Sequence, residues 1–213
     1  MKTGRYAVIL VIMLLALGLG WSLAGAARIP LALPEVENRM IRGGYLDTLN
    51  AAYWAVAQGE AVVPLLAQLL DNRAKYAKEL GGATGAFPFN AVWALGRIPK
   101  SGALKVLEKY YFATKDPTAA LAIQGWKLRE REQNPRYGVL AKDAALLEYP
   151  EEKARVHKRL KAGQQVKVLH EKNPNPREVG PRGGPVFYDR VDLIPSGEQG
   201  YILRAGDDFT PFM

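Results

Sequence analysis

Asn50-Ala51-Ala52-Tyr53-Trp54-Ala55-Val56-Ala57 returns as Asn90-Ala91-Val92-Trp93-Ala94-Leu95-Gly96. Each copy is followed by a short break and a second apolar segment, Val62-Val63-Pro64-Leu65-Leu66-Ala67-Gln68-Leu69-Leu70 and then Ala103-Leu104-Lys105-Val106-Leu107. Self-similarity at a spacing of about 40 residues is the mark of stacked helix pairs, since one pair cannot bury its apolar stripe alone. A third first helix opens at Asp116-Pro117 and runs through Trp126 with similar small-residue spacing. Around these segments apolar residues recur every three or four positions from Tyr45 to Arg131. Breaks fall at Gln58-Gly59, Gly81-Gly82, Pro99-Lys100-Ser101-Gly102 and Asp116-Pro117. The pattern predicts helices over 45–57, 60–79, 87–97, 102–114 and 117–132, with the C-terminal domain or a further helix from near Glu35 capping one end. Tryptophans 54, 93 and 126 recur on first helices and read as packing residues.

After Asn134-Pro135 the periodicity changes to two, which sets a domain boundary near 133–140. Leu140–Leu146 can start a strand, Gln165-Val166-Lys167-Val168-Leu169-His170 alternates as a half-buried one, and Phe187–Leu193 and Gly200–Leu203 supply two more. Turns are expected at Tyr149-Pro150-Glu151-Glu152, Lys161-Ala162-Gly163-Gln164 and Pro195-Ser196-Gly197-Glu198. The basic run Lys153, Arg155, Lys158, Arg159 and Lys161 reads as a solvated, salt-laced turn, the alternative being a contact for a polyanionic glycan that Glu151 and Glu152 beside it weaken. Residues 171–185, with Pro174, Pro176, Pro181 and Pro185, read as a long solvated loop.

The helical segment resembles the HEAT or HEAT-like repeat family over roughly 90 residues, two and a half repeats. Leu160-Lys161-Ala162-Gly163-Gln164-Gln165-Val166-Lys167-Val168-Leu169, then Tyr188-Asp189-Arg190-Val191 and Pro195–Ile202, resemble a bacterial Src-homology-3-like domain over about 139–205. The resemblance implies a small β-barrel that binds peptidoglycan or a peptide, with Tyr149, Tyr188 and Tyr201 as contacts. The chain departs from that family at Leu147-Glu148-Tyr149-Pro150 and in the length of the 171–185 loop, whose Lys172, Arg177 and Arg182 would face an acidic partner. The expected fold class is thus all-α plus all-β in two domains, a short α-α superhelix at 28–135 and a barrel at 136–213.

Residues 1–27 read as a targeting segment: Lys2 and Arg5, an apolar run from Ala7 to Leu19, then Ala24-Gly25-Ala26 at a cleavage site. The alternative is an uncleaved anchor, because Tyr6–Ala27 matches the roughly 20 residues that span a bilayer. Either way the rest of the chain is expected outside the cytoplasm, periplasmic or extracellular, and touches membrane only through this segment. No cysteine occurs anywhere, which removes disulfides, thiolate metal sites and a cysteine nucleophile. The formal charge of +8 falls to +6 without Lys2 and Arg5. Residues 28–135 carry 14 basic and 10 acidic side chains and residues 136–213 carry 13 and 11, so neither half reads as a nucleic-acid domain.

Catalysis needs convergent acid, base or nucleophile groups, and the sequence offers no such pattern. His157 and His170 lack metal-ligand spacing and read as surface residues. Asp207-Asp208 reads as a solvated tail, and Gly81-Gly82-Ala83-Thr84-Gly85 lacks the Lys-Ser/Thr of a phosphate loop. No cofactor and no metal are expected. The sequence therefore points to a non-enzymatic envelope adaptor. Its barrel would recognise peptidoglycan or a peptide, and its helical repeat another envelope protein. The rival is a structural subunit of a larger envelope assembly, with the barrel as its cap.

Overall fold

The computed structural model describes residues 33–79, 87–179, 185–204 and 212–213. The expected leader at 1–27, Gly81-Gly82, Arg182 and Asp207-Asp208 lie outside the described residues. The chain is α plus antiparallel β. Helices α1 (Leu33–Arg42), α2 (Tyr45–Gln58), α3 (Val63–Asp71), α4 (Arg73–Glu79), α5 (Phe87–Arg97), α6 (Ser101–Thr114) and α7 (Pro117–Glu132) come first, with a 3-10 turn at Gly59–Val62. None of the described helices is long and apolar enough to cross a membrane.

The helix ends follow local chemistry. At the start of α7 the Asp116 carboxylate accepts the Thr118 N–H at 2.8 Å, and Pro117 occupies a first-turn position where no donor is missed. The single helix expected over 60–79 is instead a 3-10 turn followed by α3 and α4. Asn72 interrupts it, with both its backbone and side-chain nitrogens donating to the Gln68 carbonyl. Trp54, Trp93 and Trp126 are all buried. Helices α5 and α7 cross closely because Gly96 faces Ala122: a Cβ at 96 would lie 3.2 Å from that of Ala122.

Strands β1 (Tyr137–Val139), β2 (Ala144–Leu147), β3 (Val156–Leu160), β4 (Gln165–Val179), β5 (Pro185–Leu193) and β6 (Gln199–Leu203) form one antiparallel sheet in the order β1-β4-β5-β6-β2-β3. The sheet is open, with β1 and β3 as its edges, where a closed barrel was expected. Its inner face gathers Leu140, Leu146, Leu160, Val166, Val168, Val191, Leu193, Ile202 and Phe212 into a core. The Lys161–Gln164 and Pro195–Glu198 turns depend on Gly163 (φ +86°) and Gly197 (φ +72°), in the left-handed region.

Two expectations are corrected. The basic run contains strand β3 rather than a turn: Leu160, Arg159 and Lys158 pair with Ala144, Ala145 and Leu146. The 171–185 loop is largely hairpin, for Asn173, Pro174 and Asn175 pair with Tyr188, Phe187 and Val186, and Val179 pairs with Pro185. Strand β1 accompanies β4 only at Gln165–Lys167. Farther along, the outer edge of β4 has no strand beside it among the described residues, so prolines there remove no ladder bond.

Leu33–Met213 form one compact unit, so the 28–135 and 136–213 halves are joined. The joint is made by Phe212-Met213. Met213 exchanges backbone hydrogen bonds with Val139 at 2.8 and 3.2 Å, which covers edge strand β1. From the helices, the Trp93 indole and Arg97 donate to the Phe212 carbonyl at 3.0 and 3.2 Å, and Arg129 donates to the Met213 carbonyl at 2.9 Å. Gly125 and Gly138 make room: a Cβ at either would lie 2.4 or 2.9 Å from the Met213 oxygen.

Candidate functional site

The turn between β2 and β3 and the far arm of the β4–β5 hairpin build one surface together. Within the turn, Glu148 N–H donates to the Arg155 carbonyl, Glu151 N–H to that of Tyr149 and Ala154 N–H to that of Glu151, at 3.0, 2.9 and 3.0 Å. This leaves the Tyr149 ring 59% exposed on a backbone fixed by hydrogen bonds. The hairpin supports the turn from below. The buried Asn175 amide donates to the Pro150 carbonyl at 2.9 Å, and its oxygen accepts the Arg177 N–H at 2.9 Å. One oxygen of Glu178 accepts the Glu152 N–H at 2.6 Å, and the other accepts the Tyr188 hydroxyl. A depression of about 320 Å³ lies between, lined by Glu151, Glu152, Lys153, Asn175, Arg177 and Glu178.

The structure distributes the expected contact residues unevenly. Tyr149 is exposed beside the depression, and Arg177 lines it. Tyr188 is fully buried on β5, and its hydroxyl donates to Glu178. Tyr201 is half-buried on β6, opposite Leu147 and Arg190. Lys172 is exposed at a bulge, its backbone in the left-handed region at φ 55° with its N–H on Asp189. Three carboxylates and two cations line the depression. Both histidines are exposed, His157 on β3 and His170 on β4.

The Tyr188 phenol is held above its ordinary range by burial first, then by its bond to Glu178 and the charges of Glu178, Glu152 and Glu151. Tyr76 and Tyr110 are raised as well, again by burial first. A raised folded-state value means stability that is complete below the free phenol's value of about 10 and is lost as pH rises through the folded one. In an alkaline titration these three phenols are therefore expected to ionise together with unfolding. Phenolate absorbance followed alongside circular dichroism checks this. Ionisation of all ten tyrosines near pH 10 with the dichroism intact would show that Tyr188 is not so held.

A second concavity of about 430 Å³ opens where α5 and α7 end, lined in part by Gly96, Arg97, Trp126, Arg129 and Glu130. The Arg129 guanidinium is occupied, whereas Arg97 donates one N–H to the Phe212 carbonyl and keeps a buried Nε–H that meets no acceptor among the described residues. Arg129 donates to the carbonyls of Gly96, Tyr137 and Met213, and Trp126 donates to that of Ile98. Cations on helix C-terminal carbonyls are ordinary capping. Burial, and then the charge of Arg97, lowers the Arg129 guanidinium to about 9. This concavity is a joint between the helices and the sheet, and sequence reasoning did not find it.

The chain matches no family model, no curated protein and no solved structure. Its chemistry must therefore be read from its own residues. Among the described residues no group of three or more His, Asp or Glu side chains is placed to hold a metal ion.

Proposed function

We propose that this chain is a non-catalytic, exported binding protein of the cell envelope. In this reading the C-terminal half is a Src-homology-3-like module that recognises peptidoglycan or a peptide, and the helices form a short HEAT-like repeat that docks a second envelope protein. One observation carries it: Tyr149, a large aromatic ring, is presented to solvent on a turn that three internal hydrogen bonds and the Asn175 and Glu178 side chains hold in place. Folding gains little from an exposed ring, whereas an aromatic on a fixed backbone is what a contact surface uses.

The test is co-sedimentation of residues 28–213 with purified peptidoglycan sacculi at low and moderate salt. Tyr149→Ala is expected to leave stability within about 0.5 kcal/mol of the parent. It should weaken pelleting by roughly tenfold or more, equivalent to about 1.4 kcal/mol. If the parent protein stays in the supernatant at both salt concentrations, the wall is not the ligand.

The rival reading, a structural subunit of an envelope assembly, draws on the helices. Phe112 is 78% exposed beside Tyr111 on α6, with Lys115 lying over both rings. It predicts a stoichiometric partner recovered by crosslinking in the periplasm, with no affinity for sacculi.

A further inference from the structure

We propose that strand β3 is a docking edge for an extended acidic segment of a partner protein, which joins the sheet as an added strand. The inference rests on reading the chain as a binding protein, but on neither Tyr149 nor the wall.

The sheet has two edges, and they differ. Strand β1 is covered, since Val139 and Met213 exchange backbone hydrogen bonds and Leu140 bridges to Phe212. Strand β3 has β2 on one side and, among the described residues, no strand on the other. Val156, His157, Lys158 and Arg159 are all exposed, and only Leu160 is buried. An edge of this kind presents backbone N–H and C=O groups that another chain can pair with.

The side chains select what can approach. Lys158 and Arg159 lie on the strand, Lys153 and Arg155 precede it, and Lys161 follows it. Lys158 is paired with Glu198 and Lys161 with Asp143, each at 2.7 Å and each exposed. Exposed pairs contribute little and exchange readily. Lys153, Arg155 and Arg159 have no ion pair among the described residues. A second copy of the chain would bring this basic strand against its own equivalent, and like charges opposite one another on paired strands repel. Lysines on edges discourage self-pairing for this reason. The same charges that reject a second copy accept an acidic strand, which gives affinity and discrimination from one set of residues. Val156, exposed among them, offers an apolar contact, so the fitting segment alternates acidic and apolar residues.

The probe is a fluorescein-labelled Glu-Val-Glu-Val-Glu-Val peptide, titrated into residues 28–213 and followed by anisotropy. Binding is expected to weaken with salt. It should weaken at least tenfold when every peptide amide is N-methylated, and at least tenfold in the variant His157→Glu/Arg159→Glu, whose exposed positions on β3 leave folding intact by circular dichroism. Slowed hydrogen exchange of β3 amides on peptide addition is the matching structural signal. Tyr149→Ala is expected to leave peptide binding unchanged, and the β3 variant to leave sacculus binding unchanged, so the two readings fail separately. Equal binding of the methylated peptide, of the Lys-Val-Lys-Val-Lys-Val peptide or of a sulfated glycan would overturn strand addition, as would no binding of the unmodified peptide.

Discussion

Replacing Arg204 by methionine is expected to destabilise the fold by about 3–5 kcal/mol, the usual loss when one partner of a buried ion pair is removed. For a unit of this size that corresponds to a fall in Tm of roughly 6–20 °C. Arg204 and Asp189 are both fully buried and meet at 2.7 Å, and a second guanidinium nitrogen reaches Glu171 at 3.1 Å. The Asp189 oxygen in that pair also accepts the Lys172 N–H at 2.9 Å, while its other oxygen is buried and finds no donor among the described residues. Without Arg204 the carboxylate would keep its desolvation penalty and lose its main compensation. The double variant Asp189→Leu/Arg204→Met is expected to recover much of the loss, because two apolar side chains leave no charge behind.

The same pair sets a pH signature. Burial pushes the Asp189 carboxyl up, against the downward pull of Arg204 and the Lys172 amide. An acid raised in the folded state is penalised at high pH, and the penalty lifts as pH falls through the folded value. Arg204→Met should therefore lie closest to the parent protein in mild acid and farthest from it at neutral pH. Urea midpoints at the two pH values measure the difference, and an equal deficit at both would mean Asp189 is not the stranded charge.

At the joint between the halves, Phe212→Ala is expected to cost about 3–5 kcal/mol by removing a buried ring from the sheet core. Gly125→Ala should cost about 1–3 kcal/mol, since its new Cβ would lie 2.4 Å from the Met213 oxygen, a backbone atom that cannot swing aside. Both act on the seating of the same dipeptide, so the double variant should lose less than the sum of the two. In residues 28–213 the tryptophans are Trp54, Trp93 and Trp126, all on helices, so their fluorescence reports the helices. The Phe212→Ala transition is expected to move equally by fluorescence and by far-ultraviolet circular dichroism. A fluorescence transition that stays in place would mean that the helices fold independently of the sheet.

What the sequence made legible follows from where the physics is local. Helices α2, α5, α6 and α7 end within a residue of their predicted limits, because Gly59, Pro99 and the Asp116-Pro117 cap act on their own neighbours. Strand β3 escaped notice because alternation is visible only when one face is buried, and here Val156 through Arg159 are exposed on both. The hairpin arm escaped because prolines 174 and 176 signal a loop unless a free strand edge is known to receive them. Tyr149 and Arg177 were singled out separately. What brings them to one surface is the Asn175–Pro150 hydrogen bond, a contact across 25 positions that no local pattern encodes. Nothing in the order of residues ties Arg97 and Arg129 to Phe212-Met213.

That tie fixes an order of events during synthesis. Trp93 waits for a carbonyl 119 positions later, and Arg97 for the same one 115 positions later. The helices emerge first from the ribosome, yet these two donors stay unanswered until Phe212 arrives. Contacts so distant along the chain slow folding. The stitch between the helices and β1 therefore forms only after both have been synthesised.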